Sequence, residues 1–211
     1  MGETMAVTSR EARRSRIGVF VGSFNPPHIA HLFLVQDAMQ EFGLDLVYVV
    51  ADRLVKYKAL VNLVHRQKMI DLLFGAYPGV LTQFSAKDNE RFENAELWDI
   101  HRTIEEAHPG DDVYLILGTS TLQWYVAQFP EHSLEVVRQL IVCLRDEDSI
   151  VYSTLAGCTV QSFVPRIRGA SSTQIRDQLT RGVPTPLLTP ELIAYIAEHN
   201  LYASTAPPKA L

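Results

Sequence analysis

The sequence predicts an α/β fold: a single domain built on a doubly wound parallel sheet. Three observations carry that prediction. Short, continuous apolar runs recur at residues 17–21, 46–50, 113–117 and 140–144, the pattern of strands buried on both faces. Stretches with helical spacing separate them, and strand–helix alternation implies right-handed crossovers between parallel strands. A turn rich in glycine and proline follows the first run, where such sheets place their ligands.

Taken in order, residues 17–21 form the first strand. Leu32, Val35, Met39 and Phe42 then recur at helical spacing, with Gln36, Asp37, Gln40 and Glu41 on the opposite side. Residues 46–50 give a second strand, 65–76 a helix and 80–84 a third strand. The helix predicted over 95–107 is stopped by Pro109 and Gly110. Residues 113–117 are the fourth strand, 134–139 a helix, 140–144 the fifth strand and 159–164 the sixth. Two helices, 172–181 and 190–199, close the chain. Thr189 and Pro190 supply the last helix with a cap and a favoured first residue.

The expected domain covers residues 16–203, since 211 residues suit one medium-sized core. Residues 1–15 read as a disordered leader, with Met5 an alternative start. The stretch up to Arg16 contains four arginines and no apolar segment, so it is no secretory signal. Residues 204–211, with Pro207 and Pro208, read as a flexible tail.

A net charge of −5 argues against a general nucleic-acid binder. Polyphosphates remain accessible to an acidic protein whose few cations converge on one site. The absence of an eighteen-residue apolar run excludes a membrane-spanning helix. Cys143 and Cys158 form no metal-binding pattern and read as reduced thiols, which favours a cytoplasmic protein. A disulfide between them is the less favoured alternative.

Chemistry concentrates in two segments. The first is Gly18-Val-Phe-Val-Gly-Ser-Phe-Asn-Pro-Pro-His-Ile-Ala-His31. Gly22 ends the strand where the backbone turns or meets a close neighbour. Pro26 and Pro27 stiffen the loop. His28 and His31 fall three apart in the first turn of the following helix, whose free amides and dipole suit a phosphate. Alone, the pair could equally be half a metal site or a core pair; a metal site would need a third ligand nearby, and none is evident. The second segment is Gly169-Ala-Ser-Ser-Thr-Gln-Ile-Arg176, where Ser171 and Gln174 have capping-box spacing. Arg176, one turn inside, offers a planar fork suited to phosphate.

Together these segments resemble the two signatures of the HxGH nucleotidyltransferase superfamily. The closer resemblance is to the bacterial nicotinate-nucleotide adenylyltransferase family, and the C-terminal 177–182 and 188–202 stretches are similar to it as well. The resemblance implies a Rossmann-like nucleotidyltransferase fold and transfer of the AMP moiety of ATP to nicotinate mononucleotide, releasing pyrophosphate in NAD biosynthesis. It implies catalytic roles for His28, His31 and Arg176, and ATP binding by Gly22, Ser23, Phe24, Ser171, Ser172 and Thr173. Mg²⁺ would be bound through substrate phosphates, with no metal held by the protein. The implied partners are small nucleotides, with neither nucleic acid nor membrane, and a homo-oligomer is compatible.

For the acceptor, Lys56 or Lys58, followed by Arg66-Gln-Lys-Met69, resembles the family's lysine and Arg-x-x-Met. Gly118, Ser120 and Arg145 complete the implied acceptor set. The sequence departs from the family in several places. Val21 and Ala30 replace glycines, and the Ala30 methyl should tighten the ATP site without destroying it. Residues 93–98 replace a Ser-Tyr-Thr-x-Asp-Thr segment. Gly118-Thr-Ser120 replaces Gly-x-Asp and loses a carboxylate. Trp124 comes early and reads as a core residue. The altered middle keeps nicotinamide mononucleotide, another phosphorylated acceptor, or a non-catalytic nucleotide-binding role as alternatives.

Overall fold

The computed structural model describes residues 13–52, 60–92, 95–128, 137–144 and 157–203. The elements run β1 (Arg16–Gly22), α1 (Ile29–Phe42), β2 (Leu46–Ala51), α2 (Leu63–Phe74), β3 (Val80–Leu81), α3 (Ala86–Phe92) and α4 (Leu97–Ala107). There follow β4 (Asp112–Gly118), α5 (Thr119–Gln128), β5 (Gln139–Cys143), β6 (Thr159–Phe163), α6 (Ser172–Thr180) and α7 (Pro190–Glu198).

The six strands form one parallel sheet in the order β3-β2-β1-β4-β5-β6. After β1 the chain winds outward through β2 and β3, then returns to place β4 on the other side of β1. The winding direction therefore switches between β1 and β4. There the connections leave in opposite directions and open a crevice at the carboxyl ends. Gly22 and Gly118 end these two strands.

Alternation along the strands divides the core between the two faces. Phe20, Val47, Val49, Ile116 and Ile141 pack with Val35 and Ala38 of α1, Met69 and Ile70 of α2, and Leu192 and Ile196 of α7. Ile17, Val19, Val21, Leu115, Leu117, Leu140 and Val142 pack with Leu97, Ile100 and Ile104 of α4. Both faces are covered, as the continuous apolar runs require.

The structure corrects several expectations. The third strand is two residues long rather than the predicted 80–84. It pairs with β2 only at Val47 and Tyr48, and leaves the sheet edge while β2 runs on to Ala51. The helix expected over 65–76 starts at Leu63, because the Asn62 side chain accepts the Val64 amide and caps it there. The helix over 95–107 begins at Leu97. Of the helix expected over 134–139, residues 134–136 lie outside the described residues and Gln139 opens β5.

Two helices, α3 and α5, have no counterpart in the sequence prediction. The latter, Thr-Ser-Thr-Leu-Gln-Trp-Tyr-Val-Ala-Gln, follows β4 directly and has no sustained apolar stripe. Trp124 on it is 44% exposed, not a core residue. Its ring meets the Tyr125 ring edge-on at 5.0 Å.

Candidate active site

The turn after β1 is built around Phe24. A Cβ at Gly22 would stand 3.1 Å from the Phe24 ring, a tight contact that glycine avoids as the ring folds back. Phe24 takes a positive φ of 44° and is buried. Its ring meets Phe20, His31 and Phe74 edge-on at 5.3, 5.2 and 6.2 Å. The side chain thus anchors the loop in the core while the neighbouring backbone lines the cleft.

The two histidines open α1. His28 is the N-cap in extended conformation and His31 lies in the first turn. Their rings stack at 3.7 Å with planes inclined by 24°. The His28 amide donates to His31 Nδ1 at 3.2 Å. His28 is 3% exposed, and its Nδ1 is buried with no hydrogen-bond partner among the described residues. Burial lowers the His28 pKa to about 4. Burial, and then the neighbouring His28, hold His31 well below the ordinary imidazole range. Both rings are therefore neutral at pH 7. Because His31 Nδ1 accepts a bond, its proton resides on Nε2, which is left as a donor.

α6 is tied to this loop across most of the chain. The Ser172 hydroxyl donates to the Pro26 carbonyl at 2.8 Å. Arg176 Nη1 donates to the Asn25 carbonyl at 2.8 Å, and Nη2 to Thr173 Oγ1 at 3.2 Å. The Ser171 side chain caps α6 by accepting the Thr173 amide at 3.2 Å. Gln174, the expected reciprocal partner of the cap, stands exposed; the serine cap suffices to start the helix.

Two further arginines shape the surroundings. Arg66, 3% exposed, donates to the carbonyls of Ser23, Asp52 and Val61 at 2.9, 2.8 and 3.0 Å. It pins three segments together, which explains its place in the Arg66-Gln-Lys-Met69 stretch. Arg166 grips Asp37 of α1 through its amide at 2.9 Å and Nε at 2.6 Å, with its guanidinium 4.8 Å from the Phe33 ring. That clasp holds the segment before Ser171 against α1.

A cleft of about 500 Å³ results at the switch point. Gly22, Ser23, Phe24, His28, His31, Ser171, Ser172, Thr173 and Arg176 line it, and so do Gly118 and Ser120. Every site residue selected from the sequence and present among the described residues lies on this one cleft. Lys56, Lys58 and Arg145 lie outside the described residues. Ala30 also lines the cleft.

Sequence reasoning missed Arg168, Thr121 and Cys143, which line the same cleft. The signal for Arg168 was its position three residues ahead of Ser171. For Cys143 it was the carboxyl end of β5, which the switch-point rule marks. Cys143 and Cys158 are free thiols, so the alternative of a disulfide is not realised. Among the described residues no aspartate or glutamate lines the cleft. It joins two guanidiniums, neutral imidazoles, hydroxyls and the start of α6, a donor set suited to a polyphosphate.

Fold and cleft together define a nucleotidyltransferase. The family model described as Cytidylyltransferase-like matches residues 19–178. The chain belongs to this family and, within it, groups with nicotinate-nucleotide adenylyltransferases at low identity. A relative in Enterococcus faecalis, named "Probable nicotinate-nucleotide adenylyltransferase", is 30% identical over 90% of this chain and 85% of its own. One of the same name in Leifsonia xyli is 28% identical over 93% and 98%. Among solved structures, Plasmodium falciparum nicotinic acid mononucleotide adenylyltransferase complexed with NaAD superposes with a TM-score of 0.70. It shares 20% identity, over 90% of this chain and 98% of that one.

Proposed function

We propose that the protein joins the AMP moiety of ATP to nicotinate mononucleotide and releases pyrophosphate, a step of NAD biosynthesis. One observation carries the reading: His28, His31 and Arg176 share one cleft at the switch point. The relatives' names favour nicotinate mononucleotide as acceptor.

In the reaction an oxygen of the acceptor phosphate attacks the α-phosphorus of ATP. A P–O bond forms there as the bond to the β-phosphate oxygen breaks, and pyrophosphate leaves with the bonding electrons. No covalent enzyme intermediate is required. Catalysis then consists of positioning two anions and stabilising charge that grows on the leaving group. His28 and His31, neutral at pH 7, donate hydrogen bonds near the reacting phosphorus without a proton having to be gained first. Ser172, Thr173 and Arg176 grip the departing end. Gly22, Ser23 and Phe24 supply the backbone against which the nucleotide lies.

A cleft with no carboxylate among its described lining residues suits Mg²⁺ that arrives on the triphosphate and is held by phosphate and water. When bound there, the ion neutralises phosphate charge. Lys56, Lys58, Gly118, Ser120 and Arg145 are the proposed acceptor contacts. Among the described residues no helix is long and apolar enough to cross a membrane. We assign the enzyme to the cytoplasm, where its free thiols would stay reduced.

A second reading is transfer to nicotinamide mononucleotide, since the Gly118-Thr-Ser120 stretch on the cleft departs from the Gly-x-Asp that the family resemblance implies. A pyrophosphate-release panel decides. It crosses four nucleoside triphosphates with nicotinate mononucleotide, nicotinamide mononucleotide and other phosphomonoesters. The highest kcat/KM should come from ATP with nicotinate mononucleotide; no release with any pair would overturn adenylyl transfer.

A further inference from the structure

The Leu201-Tyr202 pair lies beyond α7, yet the Tyr202 hydroxyl reaches Asn25 in the loop between β1 and α1. Asn200 and Tyr202 have positive φ of 50° and 60°, so the chain bends sharply back after the helix. Left-handed backbone is uncommon for an aromatic residue and persists where surrounding contacts hold it. Here the contacts are at both ends of Tyr202. The Thr180 hydroxyl lies between the carbonyls of Arg176, at 2.9 Å, and Tyr202, at 3.1 Å. The Tyr202 hydroxyl donates to Asn25 Oδ1 at 2.9 Å.

Asn25 is 2% exposed and stands where four segments meet. Its Oδ1 accepts from both Tyr202 and the Val61 amide, the latter at 3.2 Å. Its carbonyl accepts from Arg176 Nη1. A side chain held from two directions fixes the orientation of the adjoining carbonyl, and that carbonyl fixes one arm of the guanidinium. Burial raises the Tyr202 pKa, and Arg176 and Arg66 are near enough to oppose the rise. The phenol is thus a protonated donor beside both arginines.

We propose that Tyr202 is a positioning residue, which sets the fork of Arg176 for the triphosphate by holding Asn25. The proposal rests on the reading of the cleft as a triphosphate site. It gives the segment just after α7 a part in nucleotide binding, although Tyr202 itself does not line the cleft. A tyrosine that merely closed the fold would affect stability alone. One that acts through Arg176 must lose its effect on binding when that guanidinium is replaced.

The test is a double-mutant cycle read by titration calorimetry with MgATP, on the full chain. Tyr202→Phe keeps the ring and removes the hydroxyl. It should weaken binding about fivefold, the scale of one hydrogen bond, when Arg176 is present. In the Arg176→Lys background the same change should alter binding by less than about 1.5-fold, since the relay ends at a fork that is gone. Equal weakening in both backgrounds, or none in either, overturns the proposal.

Thr180→Val leaves the phenol in place and loosens the other end of Tyr202. It should weaken MgATP binding in the same direction by a smaller factor and keeps the test open if Tyr202→Phe folds poorly. No change in Thr180→Val would then count against the proposal. Wild-type protein that binds MgATP but releases no pyrophosphate with any acceptor would sink adenylyl transfer and leave the relay measurable. Absence of MgATP binding would overturn both.

Discussion

The amide of His28 donates to Nδ1 of His31 at 3.2 Å, beneath imidazole rings stacked at 3.7 Å. That single bond assigns the His31 proton to Nε2 and leaves a neutral donor where a phosphate is expected. Burial opposes a proton on either ring, and the stacked His28 further opposes one on His31. The pair is preorganised as donors without carrying charge.

Replacing either imidazole should remove transition-state stabilisation rather than binding alone. His28→Ala and His31→Ala are each expected to lower kcat/KM by about a hundredfold, on the order of 3 kcal/mol, the scale of one lost preorganised donor. Steady-state pyrophosphate release checks this. Near-normal turnover in both variants would remove the histidines from the mechanism.

Acid should destabilise the free protein through His28. Its folded pKa is about 4, below the unfolded value near 6.5. Between these values the unfolded chain holds more protons. The stabilisation is thus complete above about pH 6.5 and lost as pH falls towards 4, at most about 3 kcal/mol. His31 and His101, also lowered by burial, act with the same sign. Urea unfolding at pH 7, 5.5 and 4 should therefore show a shallower loss for His28→Gln than for the wild type. Parallel losses would mean that His28 is not a buried neutral base.

Arg66 and Arg176 should separate stability from activity. Arg66→Ala strands three carbonyl groups and is expected to cost on the order of 3 kcal/mol of folding stability. Arg66→Lys should recover less than half, because an ammonium lacks the planar fork. Arg176→Ala, at a half-buried position on the cleft, should cost about 1 kcal/mol or less yet lower kcat/KM by about a hundredfold. Denaturant midpoints set against kinetic constants test the contrast; a reversed pattern would exchange the two roles.

Ala30 should prove a tolerated departure. Ala30→Gly removes a methyl group from the cleft wall and a good helix former from the first turn of α1. Stability should fall by about 1 kcal/mol or less. Because the methyl group only narrows the site, kcat/KM for ATP should stay within about threefold of the wild type, the effect of less than one methylene in an apolar contact. A rise beyond tenfold would show that Ala30 obstructs the nucleotide.

Much of this protein is legible in its linear order. The strands that became β1, β2, β4 and β5 were readable because both faces of the sheet are covered, which forces unbroken apolar runs. The turn at Gly22 and the Ser171 cap were readable because each obeys a local rule of backbone geometry. Those rules act within a few residues, so they leave their mark in the letters themselves.

Other features depend on contacts between distant segments. β3 pairs with β2 only at Val47 and Tyr48 although β2 runs on to Ala51, and α5 follows β4 without a sustained apolar stripe. The burial that keeps His28 and His31 neutral, the role of Arg66 in pinning three segments, and the reach of Tyr202 to Asn25 arise only after the sheet has wound. Local propensity and patterning mark most of the sheet strands and the caps; burial and long-range hydrogen bonding fix which side chains meet. The chemistry of the cleft belongs to the second kind, since a pKa or a hydrogen-bond partner is set by neighbours in space.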